Sequence, residues 1–329
     1  MPTMQLQLTG AGVMQLAPGA GADQRVDFLA VHACGICHSD RKAFRVPPAG
    51  MALPRTLGHE VAGELLRDIP GAGLAAGSPV VLWPAIACGK CGFCRSGREN
   101  LCPGIRLFGY HLDGGYGEQL SVPAEFFDRL VCLPIPSRLS MLAASLAEPL
   151  GCLRHGLAKF RRPPESLLVL GAGLMGRLAI RLARTLWPRA KVWVEDPDPA
   201  RLAAARAEAA PHDDRPVDGV LIAASAGGAL SRTLEVLAPG GTAILFSGLP
   251  AHERQISLDH NRLHQREQTL AGAYGCTARD MEEALALIAS GTVPVADLVT
   301  RTLPLSEVAA ELASPQRSED LKSVISNDQ

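Results

Sequence analysis

Four cysteines crowd into one short stretch, Cys88-Gly-Lys-Cys91-Gly-Phe-Cys94 followed by Cys102, with glycines that let the chain fold back on itself. Four soft thiolates and no obvious open position fit a tetrahedral structural zinc ion. Neither a redox pair nor unrelated buried cysteines need four sulfurs at this spacing. A second stretch, Gly171-Ala-Gly173-Leu174-Met175-Gly176, follows the apolar run 166–170 and opens a helical pattern. In that context the glycines read as a dinucleotide fingerprint: Gly171 permits the tight turn, Gly173 lets the backbone approach a pyrophosphate, and Gly176 lets helix pack closely on strand. The helix start, with Leu174 and Met175, offers N–H donors and the positive end of a dipole.

The next apolar run ends in Glu195-Asp196, with Arg201 shortly after. A carboxylate at this place accepts hydrogen bonds from both ribose hydroxyls and repels a 2′-phosphate, so NAD(H) is expected in preference to NADP(H). Glu195 stands nineteen residues after Gly176 and Asp196 five before Arg201, which leaves open which carboxylate reads the ribose.

The elements that must position these groups change character along the chain. Up to about residue 136 the sequence is rich in Gly, Pro and short alternating apolar runs, such as 28–31, 80–82 and 130–133, which suits an irregular β-rich domain. From residue 140 a helical segment over 141–160 leads into a strand at 166–170. Helices over 174–186, 200–209 and 229–237 then alternate with strands at 191–194, 219–223, 241–246 and 270–273, which argues for parallel βαβ units. The few polar residues between 210 and 217 leave little room for a further strand and helix, so this sheet is expected to be trimmed at one edge. Helical spacing returns at 280–289 and 303–313, ahead of a strand at 323–325.

With 329 residues, 47% of them hydrophobic, the chain can fill two ordinary cores. Lys and Arg total 32 against 33 for Asp and Glu, which gives no electrostatic footprint for nucleic acid or an anionic membrane. A small, mildly polar partner is favoured instead. No basic and apolar leader opens the sequence, and no apolar run approaches the roughly 18 residues of a membrane span. A cytoplasmic protein is expected, and in that reducing setting clustered cysteines bind metal rather than form disulfides.

Taken together, Gly35-Ile-Cys37-His38-Ser39-Asp40, Gly58-His59-Glu60, the four-cysteine loop, Glu148-Pro-Leu and the glycine fingerprint resemble the zinc-containing medium-chain dehydrogenase/reductase family, in its order and over nearly the whole chain. The resemblance implies an α/β protein, with a GroES-like catalytic domain over 1–138 and 289–329. A Rossmann-type doubly wound domain over 139–288 is inserted between them, and the active site lies in the cleft. It implies one structural zinc held by Cys88, Cys91, Cys94 and Cys102. It implies a catalytic zinc bound by Cys37 and His59, with Glu60 as an adjacent ligand or exchange partner and Glu148 at a position where alcohol dehydrogenases often carry cysteine, and it leaves open whether Glu60 or Glu148 completes the shell. An acidic residue there leans toward the polyol and threonine dehydrogenases.

The resemblance further implies that Ser39 begins a proton relay, that Asp40 hydrogen-bonds His59, and that His38 meets the cofactor pyrophosphate. Such a zinc needs Cys, His and carboxylate ligands plus an open position, and it eases loss of the proton from an alcohol whose hydride passes to nicotinamide. The implied activity is hydride transfer between a secondary alcohol or polyol and NAD(H), or the corresponding ketone in reverse, by a homodimer or homotetramer. Two features depart from the family pattern. Lys42 stands where many relatives carry a histidine at the outer end of the relay, and Cys34 forms a Cys-x-x-Cys with Cys37 but reads as a small buried side chain. Two other classes use the same fold: an NADP-dependent carbonyl or alkene reductase or biosynthetic enzyme, and a catalytically silent nucleotide-binding protein. Retention of Cys37, Ser39, His59 and Glu148 speaks against silence.

Overall fold

Short, turn-punctuated strands need many partners, and the first part of the chain supplies them by antiparallel pairing. In the computed structural model, which describes residues 3–19, 25–250 and 253–327, β1 (Met4–Gly10) pairs on one side with β2 (Val13–Pro18) and on the other with β4 (Arg55–Thr56). The long β3 (Arg25–Gly35) pairs antiparallel with β5 (Glu60–Leu65), which continues to β6 (Pro79–Leu82). The connection between β3 and β5 carries α1 (His38–Arg45), whose N-cap is Cys37. Next come β7 (Ala85–Ile86), α2 (Gly92–Arg95), β8 (Arg106–Leu107), β9 (Gln119–Pro123), which pairs with β3, β10 (Cys132–Pro134) on β6, and α3 (Met141–Ala144). Phe28, Leu57, Leu65, Ile86, Phe108 and Tyr116, each under 2% exposed, fill the core beneath these strands.

The single helix expected over 141–160 is two helices. α3 ends at Ala144 and α4 (Ala147–Leu157) restarts beyond it. Pro149 lacks the N–H that would reach back to the Ser145 carbonyl, and its ring crowds that carbonyl, so the break falls four residues ahead of it.

The chain divides into two compact units, with the boundary inside α4. The first comprises the chain up to Pro149, Thr277–Gly291 and the part from Val295, and the second comprises Leu150–Cys276 and Thr292–Pro294. Segments 139–149 and 277–288, expected with the nucleotide domain, thus belong to the first unit.

The second unit is built on β11 (Ser166–Leu170), α5 (Leu174–Leu186), β12 (Lys191–Glu195), α6 (Pro199–Ala205), β13 (Ala210–Pro211), β14 (Val217–Ile222), α7 (Gly228–Val236), β15 (Leu237–Leu245), α8 (His260–Gln265) and β16 (Thr269–Gly272). All six strands run parallel in the order β13-β12-β11-β14-β15-β16, the doubly wound arrangement with its switch point between β11 and β14. Leu167, Leu168 and Val169 have no exposed surface, as continuous apolar runs in a parallel sheet require. The trimmed edge is a strand of two residues, β13, and residues 212–216 lead from it directly into β14 with no helix.

The first unit is completed by α9 (Ala278–Ala289), β17 (Val299–Leu303), α10 (Val308–Ala313) and β18 (Lys322–Ser326), giving a sheet ordered β10-β6-β5-β3-β18-β17 with β9 also on β3. The helix expected over 303–313 begins only at Val308, because Leu303 closes β17 and Pro304 starts the turn. Buried Arg41 of α1 donates to the carbonyl and carboxylate of buried Glu311 on α10, which also accepts from Ser323 Oγ at 2.9 Å and Arg301 at 2.8 Å. α1 is therefore tied directly to α10 and, through Glu311, to β17 and β18. No helix among the described residues is long and apolar enough to cross a membrane.

Candidate active site and metal centres

The four-cysteine loop follows β7. Gly89 takes φ +72, which only glycine adopts freely, and turns the chain so that the Cys91 N–H donates to Cys88 Sγ at 3.3 Å. Cys91 caps α2 and accepts the Cys94 N–H at 3.5 Å, and the Cys88 N–H reaches Cys102 Sγ at 3.4 Å. All four sulfurs lie within 4.8 Å of one another, with Cys91 to Cys94 at 3.5 Å and Cys88 to Cys94 at 3.9 Å. Tetrahedral zinc with Zn–S bonds of about 2.3 Å spaces its sulfurs by about 3.8 Å, so the cluster fits that ion. The N–H groups of Lys90 and Cys91 draw the Cys88 thiol down to about 6, toward the thiolate a metal needs.

The second cluster is set by three backbone devices. Cys37 ends the turn after β3 in extended conformation (φ −92, ψ 156) as the N-cap of α1, and the Asp40 carboxylate in the first turn accepts the Cys37 N–H at 2.9 Å. His59 follows Gly58, whose φ is +94 and where a Cβ would meet the Tyr116 ring at 2.5 Å and Cys34 Sγ at 2.8 Å. Glu60 opens β5 opposite Gly35, where a Cβ would fall 1.9 Å from its Oε2. Two glycines thus clear the space in which the ligand-type side chains of Cys37, His59 and Glu60 bring their atoms within 4.8 Å of one another.

Asp40 Oδ1 lies 3.4 Å from His59 Nδ1, which leaves Nε2 as the ring nitrogen for a metal, while Tyr116 donates to Asp40 Oδ2 at 2.9 Å. Burial alone would lower the pKa of His59, yet the Asp40 carboxylate and the Cys37 thiol raise it well above its ordinary value. Burial likewise opposes the charge of Lys322, and Glu60 beside it outweighs burial, so the ammonium is held charged. The Lys322 ammonium pairs with Glu60 Oε2 and donates to the Ile36 carbonyl at 3.1 Å. A thiolate, an imidazole and a carboxylate within 4.8 Å of one another are donors of the kind that could hold a zinc ion.

The other expected site residues of the first unit fall around this trio. Ser39 is half-buried in the first turn of α1, while His38 and Lys42 on the same helix are exposed. Cys34 is fully buried, and burial pushes its thiol far above the ordinary range, so it is inert as a ligand or redox partner. Glu148 is buried in the first turn of α4 and does not join the trio within the 4.8 Å that unites its ligand atoms.

In the second unit Gly171 turns with φ +111, and its N–H donates to the Glu195 carbonyl at 2.7 Å. A Cβ on Gly176 would fall 1.7 Å from the Gly171 carbonyl oxygen, so helix α5 packs as closely as a glycine allows. At Gly173, which caps α5 ahead of Leu174 and Met175, the nearest atom to an added Cβ is the Arg201 guanidinium at 3.9 Å. Open space therefore lies where a pyrophosphate would approach.

The two neighbouring acids diverge. Asp196 accepts the Ala172 N–H at 2.7 Å and the Asp198 N–H at 2.8 Å, so it faces the glycine turn. Glu195 instead accepts from Arg232 at 2.7 and 3.0 Å and faces His212 Nδ1 at 2.8 Å.

Tyr116 and Lys322 were not foreseen from sequence. The only local signals are a tyrosine flanked by glycines at 114, 115 and 117, and one lysine in the apolar run 321–325.

Residues 27–137 match the alcohol dehydrogenase GroES-like domain. The chain is 32% identical over 303 residues to L-galactonate-5-dehydrogenase of Escherichia coli (strain K12), covering 86% of this chain and 85% of that one. It is 30% identical over 326 residues to D-altritol 5-dehydrogenase of Agrobacterium fabrum, with 94% of each chain covered. Among solved structures, a zinc-binding dehydrogenase of Sinorhizobium meliloti 1021 bound to NADP shares the fold with a TM-score of 0.86, at 24% identity and 99% coverage of both chains.

Proposed function

The chain belongs to the zinc-type alcohol and polyol dehydrogenases of the medium-chain dehydrogenase/reductase family, and from that membership we propose that it oxidises one secondary hydroxyl of an acyclic polyol or sugar acid with NAD, or reduces the matching ketone. The observation that carries this reading is the convergence of Cys37, His59 and Glu60 on one point, with Asp40 tying the first two together. Relatives named as 5-dehydrogenases of galactonate and altritol supply the substrate class.

Cys37, His59 and Glu60 would hold the catalytic zinc and Cys88, Cys91, Cys94 and Cys102 the structural one. When bound, the first zinc supplies a Lewis acid that makes a coordinated hydroxyl more acidic, and the nicotinamide supplies the hydride acceptor. The protein's own groups do the rest. Asp40 keeps the His59 ring in one orientation and tautomer, and Lys322 balances the charge of Glu60 so that the cluster does not accumulate unpaired negative charge. Ser39, half-buried in the first turn of α1, would accept the hydroxyl proton as it gives up its own to bulk water, so that the relay starts at this hydroxyl. Asp196 rather than Glu195 reads the ribose, because its carboxylate faces the glycine turn while that of Glu195 is taken by Arg232 and His212. His38, exposed at the first position of α1, is the residue for the cofactor pyrophosphate. Glu148, whose carboxylate is not gathered with the trio, carries no metal role in this reading.

The test joins metal analysis by mass spectrometry to a cofactor-reduction screen over secondary alcohols, polyols and aldonates with NAD and with NADP. Two zinc ions per chain and turnover of an acyclic polyol or aldonate with NAD are expected. One zinc per chain, or a clear NADP preference, overturns respectively the catalytic-metal and the cofactor parts of the reading.

A further inference from the structure

We propose that Tyr116 is a positioning residue for the catalytic ligands and acts through Asp40; the proposal rests on reading Cys37, His59 and Glu60 as a zinc site. One carboxylate ties two ligands together. Asp40 Oδ2 accepts the Cys37 backbone N–H at 2.9 Å, and Oδ1 faces His59 Nδ1 at 3.4 Å. Tyr116 Oη is its third partner, on Oδ2 at 2.9 Å. The carboxylate torsion of an aspartate is broad and roughly two-fold, so a carboxylate held at one point can swivel. Two donors converging on Oδ2 fix that plane, and with it the direction in which Oδ1 meets the imidazole.

The phenol is itself held firmly. Tyr116 has no exposed surface, its N–H donates to the Leu57 carbonyl at 3.0 Å, and its carbonyl accepts the Leu6 N–H at 2.8 Å. Its ring lies against Gly58, the residue that turns the chain into His59. Burial, and after it the Asp40 charge, hold the phenol well above its ordinary pKa, so it remains a donor at any working pH. The ring and the oxygen therefore have separable duties: the ring packs the Gly58 turn, and the oxygen sets the carboxylate. Tyr116→Phe removes only the second.

Holo-protein of the wild type, Tyr116→Phe, Asp40→Asn and the double variant is compared by three measurements. These are zinc release to a chromophoric chelator, the visible spectrum after cobalt replacement, and Tm. Groups that orient metal ligands are worth 10- to 100-fold in metal affinity, so Tyr116→Phe is expected to keep its Tm and its cysteine-loop zinc. It should release the second zinc about tenfold faster and displace the cobalt bands. In the Asp40→Asn background the same change is expected to add nothing. Wild-type release rate with an unchanged cobalt spectrum overturns the proposal, as does a full effect of Tyr116→Phe in the Asp40→Asn background. A Tyr116→Phe chain that melts far below wild type assigns the oxygen to folding and overturns it too. A wild type that carries a single zinc fails at the earlier step, the metal reading itself, before the variants are compared.

Discussion

Cys37 caps α1, and in the proposed reading it is also a metal thiolate, two tasks that can be separated. Serine is a better helix cap than cysteine and a far poorer zinc ligand, so Cys37→Ser is expected to lose turnover by more than about a hundredfold, with Tm near the wild type and one zinc retained. Kinetics beside metal content check this, and full activity in that variant contradicts the catalytic assignment. A second residue-scale outcome concerns the paired acids. Removing the charge in Asp196→Asn weakens two charge-assisted hydrogen bonds to a ribose, each worth about 1.5–3 kcal/mol, so KM for NAD should rise by about tenfold or more and the NAD over NADP preference should shrink. Glu195→Gln should leave KM for NAD within about twofold. At this scale the sequence was legible where rare residue types recur at fixed spacing, as with the thiolates of the loop and the Cys37 and His59 pair. It was silent on Tyr116, which meets Asp40 across 76 residues, and on Lys322, which meets Ile36 across 286. No local spacing encodes such a contact.

Elements were easiest to see where burial is continuous. The apolar runs of β11 and β14 stand out because both faces of a parallel strand are covered, and α5 was legible from its glycines and helical periodicity. The split between α3 and α4 was present in Pro149 and missed because apolar spacing continues across it. The start of α10 was missed because Leu303 fits a strand end as well as a helix. One element-scale interaction has a pH signature. Glu195 closes β12, and Arg232 on α7 joins it to the next layer. Burial raises the carboxyl pKa, and the hydrogen bonds from Arg232 and His212 outweigh it, so the folded value lies below the usual 4.5. A depressed folded pKa gives stability that is fully present above the unfolded value and fades as pH falls through the folded one. The Tm difference between wild type and Glu195→Gln should therefore be constant from neutral pH down to about 4.5 and should narrow below it, as thermal melts across that range will show. A difference that widens on acidification contradicts the pairing.

At the scale of the whole molecule, the two kinds of metal site predict two kinds of damage. The loop thiolates stand apart from Cys37 and His59, so Cys91→Ser should cost one zinc, lower Tm and loosen any homo-oligomer, while the zinc that remains sustains chemistry per intact site. Light scattering joined to metal analysis reads both effects, and unchanged stability with one zinc lost contradicts a structural role. The two-part organisation was legible in the switch from short alternating runs to regular βα alternation. Its seam was not, because α4 spans it without any break in composition.

The buried pairing of Glu60 with Lys322 has a consequence for biosynthesis. A ribosome that has just released Cys37, His59 and Glu60 must add most of the remaining chain before the countercharge to that glutamate exists, since Lys322 follows Ile36 by 286 residues. Until then the glutamate lacks its buried partner, and the C-terminal strand arrives as the final part that completes the pair.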